Sequence, residues 1–149
     1  MERALGSTHE VSLRMLLLLE MLDGKKVTVD MLAAIDFITV YGHDFEITED
    51  NLHGNGTYRF GEFALRRDLV KDALRLLVVE GIVSVTPQKR GFLYQLTFAG
   101  IDFSSGFECD YSDDYRFASE TVIRRLNGKS EHEITRMINQ RVLLSLQRS

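Results

Sequence analysis

The sequence predicts an α+β fold that is mostly helical. Three observations within one stretch, Phe63 to Ile101, carry that expectation. FALRRDLVKDALRLLVVEG repeats apolar residues at three- and four-residue spacing (Phe63, Leu69, Val70, Ala73, Leu74, Leu76, Leu77), as a core-facing helix does. IVSVTPQKRGFLYQLT then changes to β-branched and alternating residues on either side of a polar turn, the pattern of a two-stranded hairpin. FAGIDF follows at once, with Thr97 placed to cap a further helix. Helix, glycine, strand, basic turn, strand, helix is the order of a winged helix-turn-helix domain, here with additional C-terminal helices. The expected division is residues 1–105 for the winged-helix domain and 106–149 for a helical extension packed on it or on a partner.

The other elements follow in chain order. A first helix is expected from about His9 to Leu22, capped by Ser7 or Thr8, with Glu10 completing a capping box from Ser7. The run Met15 to Leu19 leaves little polar surface at its centre. Asp23 to Lys26 reads as a turn, and Val27 to Val29 as a short strand against the hairpin. Asp30 is the expected N-cap of a second helix, Met31 to Tyr41, closed by Gly42. His43 to Gly61 is a long insertion, where a compact helix-turn-helix has only a short turn. Gly81 closes the third helix by taking a left-handed conformation, and Pro87 lies near the hairpin tip, where a missing amide costs least. Beyond the hairpin, Phe98 to Ser104 starts a helix, Gly106 to Asp114 reads as an acidic turn, and a helix runs from about Tyr115 to Leu126. Asn127 to Ser130 breaks the chain, and Ser130 with Glu133 boxes the start of a last helix, Glu131 to Gln147.

Length and composition narrow the function. A chain of 149 residues buries about two-thirds of its unfolded surface, so it needs neither metal nor disulfide to fold. One cysteine, Cys109, forms no internal bridge, which suits a reducing compartment. The first ten residues lack a basic segment followed by an apolar run, and Met15 to Leu19 is too short to span a bilayer. The expected location is the cytoplasm, with no membrane contact. The formal net charge of −4 weighs against a free-standing nucleic-acid binder, because phosphate neutralisation supplies most non-specific affinity.

Motifs for catalysis are missing. There is no Gly-rich phosphate loop, no G-x-S-x-G, no HExxH and no paired CxxC. His43, Asp44, Glu46 and His53 share one loop, but at no compact ligand spacing, and they read as a solvated acidic loop. Cys109 stands between Glu108 and Asp110, which disfavour its thiolate. The chain is therefore expected to be no enzyme and to hold no cofactor or metal.

Two kinds of contact remain. Arg66, Arg67, Lys71 and Arg75 on the third helix, with Lys89 and Arg90 at the hairpin turn, are candidates to meet nucleic-acid backbone. Asp68, Asp72 and Glu80 are interleaved, which equally makes this a solvated face. No Asn, Gln, Ser or Thr on that helix is placed to read base edges. The two terminal helices carry more apolar surface than a minimal winged core uses. Leu17 and Leu18 in the first and Ile134, Ile138 and Val142 in the last are candidates for a partner surface. A dimeric winged-helix transcription regulator, with the terminal helices forming the dimer, is the alternative.

Four segments resemble a known family: MLLLLEML, VTVDMLAAIDFITVYGHDF, FGEFALRRDLVKDALRLLVVEGIV and YQLTFAGIDF. Asp36-Phe37-Ile38, Arg66-Arg67 and Leu96-Thr97-Phe98-Ala99-Gly100 carry most of the likeness. Together they resemble the middle component of bacterial ABC three-component systems, among them the Lamassu type of phage and plasmid defence. The resemblance implies a non-catalytic adaptor that binds an SMC/Rad50-like ABC ATPase and helps couple DNA sensing to an effector, often a nuclease. Within such a complex the basic face of the third helix and hairpin turn is the candidate for non-specific contact with double-stranded DNA.

Overall fold

The computed structural model describes residues 8–49, 51–52 and 63–147. They form six helices and one two-stranded antiparallel sheet: α1 (Thr8–Met21), α2 (Val29–Val40), α3 (Phe63–Val79), β1 (Val83–Gln88), β2 (Gly91–Leu96), α4 (Phe98–Gly106), α5 (Asp110–Arg125) and α6 (Glu131–Gln147). A 3-10 turn, Gly42–Phe45, follows α2. The fold is thus α+β and mostly helical. Ser7, His53 and most of the expected insertion lie outside the described residues.

The centre is built from α1 and α2. Every residue of α2 from Leu32 to Val40 is buried, and so is α1 from Met15 to Leu19. Such all-round apolar helices must be covered on several sides. α3 covers both of them, α5 packs on both from another direction, α6 packs on α2, and α4 packs on α1. Tyr115, Val122 and Leu126 (α5 and its C-cap) and Ile134 and Ile138 (α6) therefore join one hydrophobic core with Leu17, Leu18, Phe37, Val70 and Leu74. No helix among the described residues is long and apolar enough to cross a membrane.

Several boundaries differ from the sequence expectation for local reasons. Thr28, not Asp30, caps α2: its hydroxyl accepts from Met31 N at 3.0 Å and donates to Glu131 Oε1 at 2.7 Å. The expected strand Val27–Val29 shrinks to Val27 alone, which exchanges both backbone hydrogen bonds with Tyr94 at 3.1 and 2.8 Å. Helix α5 starts at Asp110, so most of the expected acidic turn is helical. Its entry is fixed by Ser112 Oγ, which accepts from Cys109 N at 2.9 Å and donates to Cys109 O at 2.8 Å. Asp110 and Asp113 then lie in the first turn, where the helix dipole favours negative charge. The Ser130–Glu133 box forms as the spacing predicts, with bonds of 2.8 and 3.1 Å. The Ser130 backbone amide, more than any other group, holds the Glu133 carboxyl below its usual value.

The hairpin is joined tightly to α4. Thr97 N donates to Ile82 O at 3.0 Å, and the Thr97 hydroxyl lies 2.7 Å from Gly81 O and accepts from Gly100 N at 3.0 Å. Gly100 sits so close to the Ile82 carbonyl oxygen that a Cβ there would overlap it. The L-T-F-A-G run thus combines an N-cap with a position where only glycine fits. Arg116 closes the other end of α4, donating to Ser104 O at 2.7 Å and Phe107 O at 3.0 Å while pairing with Glu20 of α1 at 3.0 Å.

Candidate functional site

Helix α3 is set against the core by charge as well as by packing. Its buried stripe is Arg66, Val70, Ala73, Leu74 and Leu77, a helical repeat that begins on an arginine. Arg66 reaches Asp36 of α2, with a nitrogen 2.9 Å from Oδ2. Arg14 of α1 donates from Nε to Asp36 Oδ1 at 2.9 Å. The Tyr115 hydroxyl of α5 donates to the same Oδ1 at 2.7 Å. Four helices therefore meet at one carboxylate, and Asp36, Arg14 and Tyr115 are fully buried, with Arg66 only 2% exposed. The Arg66 guanidinium also lies 5.5 Å from the Phe37 ring centroid, within cation–π range. Tyr111 stacks on Tyr115, centroids 5.9 Å apart.

The electrostatics of this cluster follow from its geometry. Burial alone would push the Asp36 carboxyl up, but the Arg14 and Arg66 guanidiniums offset burial and hold it below its ordinary range. Burial, then the adjacent Asp36 charge, pushes the Tyr115 hydroxyl well above its ordinary value. Burial raises Tyr111 as well. Both phenols therefore stay neutral while Asp36 stays charged, and Tyr115 keeps the proton it donates to Asp36. A carboxylate so enclosed by side chains is a structural anchor. It fixes which faces of α1, α2, α3 and α5 point inward and so fixes what α3 presents outward.

The outward side of α3 meets the hairpin in a groove of about 280 Å³ lined by Lys71, Arg75, Val78, Val79, Val85, Phe92 and Tyr94. Antiparallel pairing sets Val83 opposite Leu96, Val85 opposite Tyr94 and Pro87 opposite Phe92. These three pairs share one face, because side chains alternate along a strand. That face is buried at Val83 and emerges toward the tip, where Val85 is 38% and Phe92 52% exposed. Val79 at the end of α3 is 79% exposed.

The candidate cations divide sharply. Arg67, Lys71 and Arg75 are exposed on α3, and Lys89 and Arg90 are exposed in the hairpin turn. Arg67 pairs with Asp30 at 2.6 Å and Arg75 with Asp72 at 3.2 Å. Arg66 corrects the sequence expectation: its place on the apolar stripe turns it inward to Asp36, away from any backbone phosphate. The partner-surface candidates need correction too. Leu17, Leu18, Ile134 and Ile138 fill the core, and Val142 is half-buried against it. The exposed apolar residues among those described lie elsewhere: Val79, Val85 and Phe92 in the groove, Leu65 and Leu76 elsewhere on α3, Phe98, Ile101 and Phe103 on α4, Phe117 on α5, and Leu143 and Leu144 on α6. Of the acidic loop, His43, Asp44 and Glu46 are described; among the described residues no three His, Cys, Asp or Glu side chains are grouped to hold a metal.

Sequence reasoning missed Arg14, Asp36 and Tyr115 as a unit. The signal was present: α1 and α2 each carry one charge, of opposite sign, within an otherwise uncharged and mostly apolar run, Arg14 among Val11 to Leu19 and Asp36 among Leu32 to Val40. A lone charge on an all-buried helix requires a partner.

The family model described as ABC-three component (ABC-3C) system Middle Component 2 matches residues 4–148. The chain belongs to this family. No curated protein and no solved structure matches it. The middle-component match takes in every described helix from α1 to α6, so the Asp36 cluster and the α3–hairpin groove both belong to the family unit.

Proposed function

We propose that this middle component is a non-catalytic winged-helix adaptor of a Lamassu-type defence system against phage and plasmids. It binds an SMC/Rad50-like ABC ATPase and couples DNA sensing to an effector subunit, often a nuclease. The observation that carries this reading is the family match over nearly the whole chain. The winged-helix assignment is supported by the order of α1 to α4 with the hairpin between α3 and α4, and by the Val27 bridge that adds a third backbone to the sheet. Residues 1–105 are the winged unit in this reading, and 106–149 the helical extension. Contact with duplex phosphate within the assembly falls to the exposed cations of the hairpin turn, Lys89 and Arg90.

Omission tests the reading. The ATPase and effector components are co-expressed with and without this chain, and complexes are isolated through a tag on the ATPase. The adaptor reading expects the effector to copurify only when the chain is present. Equal recovery without it, or isolation of the chain as a homodimer that selects one duplex sequence, favours the transcription-regulator alternative.

A further inference from the structure

We propose that the α3–hairpin groove is a protein-docking site that takes an acidic amphipathic segment of a partner subunit, not duplex DNA. This inference rests on the adaptor reading and names the chemistry of the partner. The groove has an apolar floor and a cationic rim. Val78, Val79, Val85, Phe92 and Tyr94 supply the floor, and Lys71 and Arg75 the rim.

Single exposed apolar side chains are ordinary. Here Val79, Val85 and Phe92 are all exposed and line one concavity. That is the composition of an interface core, where aromatic and aliphatic anchors are desolvated. A phosphate backbone gains nothing from such a floor, and covering it with DNA would bury phosphate charge against valine and phenylalanine.

The rim then chooses the partner's charge. Lys71 and Arg75 are four residues apart, hence one above the other on the same side of α3. No carboxylate among the described residues pairs with Lys71. Among the described residues Arg75 makes one ion pair, the exposed contact to Asp72, an interaction worth little at a solvated surface. Two cations one helical turn apart complement carboxylates spaced one turn apart on an amphipathic segment whose apolar side chains enter the floor. The Asp36 cluster keeps this groove in register, because Arg66 fixes the rotation of α3.

The test uses the full chain co-expressed with the other components of its system. A benzophenone photo-crosslinker replaces Phe92, and for comparison Phe98 on α4. Mass spectrometry of the crosslinked peptides from position 92 is expected to identify a segment of another component that carries both apolar and acidic residues. The pair Lys71→Glu with Arg75→Glu, and separately Val79→Ser with Phe92→Ser, should each reduce copurification about tenfold or more with unchanged thermal melting. Charge reversal in the mapped segment should restore binding to the Lys71→Glu, Arg75→Glu chain. Copurification unaffected by either pair overturns the groove assignment and leaves the adaptor reading standing. So does crosslinking to DNA, or duplex binding that depends on Lys71 and Arg75 but not on Val79 and Phe92. A wild-type chain that copurifies with no other component overturns both.

Discussion

Tyr115 donates its hydroxyl proton to Asp36 Oδ1 across 2.7 Å, although 79 residues separate the two in sequence. The bond joins α5 to the same carboxylate that Arg14 and Arg66 hold from α1 and α3. One buried anion thus links the two N-terminal helices, the helix before the hairpin and α5, the helix that follows α4.

Removing that anion should be costly. Asp36→Asn leaves two buried guanidiniums without their counter-charge, and loss of one partner of a buried pair typically costs about 3–5 kcal/mol. Urea denaturation should show that loss. The neighbouring arginines give a sharper contrast. Arg66→Ala should fall in the same range, while Arg67→Ala, which removes the exposed pair with Asp30, should change stability by about 1 kcal/mol or less. Similar effects for the two would place Arg66 outside the core.

The pH dependence has two limbs. The folded carboxyl of Asp36 lies below its ordinary value of 3.8, so its stabilisation is present above that pH and is lost as pH falls through the lowered value. The Tyr115 hydroxyl lies above its ordinary 10.0. Its stabilisation is present below pH 10.0 and is lost as pH rises toward the raised value. Urea midpoints measured against pH should therefore hold between these limits and fall outside them. Asp36→Asn should flatten the acid limb, and Tyr115→Phe the alkaline one.

Gly100 is fixed by space. Gly100→Ala drives a methyl into the Ile82 carbonyl oxygen, and the backbone shift needed to relieve it should cost about 1–3 kcal/mol. Gly106→Ala, in the same helix with open space around its Cβ position, should be neutral or stabilising by up to about 1 kcal/mol. Thermal melts of the two variants decide this, and equal melting temperatures would contradict the close approach.

Thr28 serves two helices. Thr28→Val removes the α2 N-cap and the bond to Glu131, with an expected loss of about 1–2 kcal/mol. A double-mutant cycle with Glu131→Ala should show coupling between the positions; strict additivity would place their contact outside the stable fold.

The elements were largely legible in the sequence because periodicity, Gly81 and the Ser130–Glu133 box are local signals. The polar centre was not. Arg66 stands next to Arg67, so the sequence alone grouped it with the basic residues; only the phase of Val70, Ala73, Leu74 and Leu77 turns it inward. The leucines of α1 and the isoleucines of α6 looked like surplus surface because pairwise helix packing is not written in either helix. Once α5 and α6 cover α2, those residues are core, and the bare apolar surface lies at other positions, among them Val79, Val85 and Phe92 in the groove and Phe98 and Phe117 outside it. Tyr115 was missed because a contact across 79 residues leaves no local trace.

The central claim is that the chain works as an assembly subunit. Size-exclusion chromatography with multi-angle light scattering, on the purified chain mixed with the ATPase component of its system, tests it most directly. The account predicts one co-eluting complex whose mass exceeds that of either component, formed at micromolar concentration. Separate elution of the two, with the wild-type chain running alone at its own mass, would contradict it.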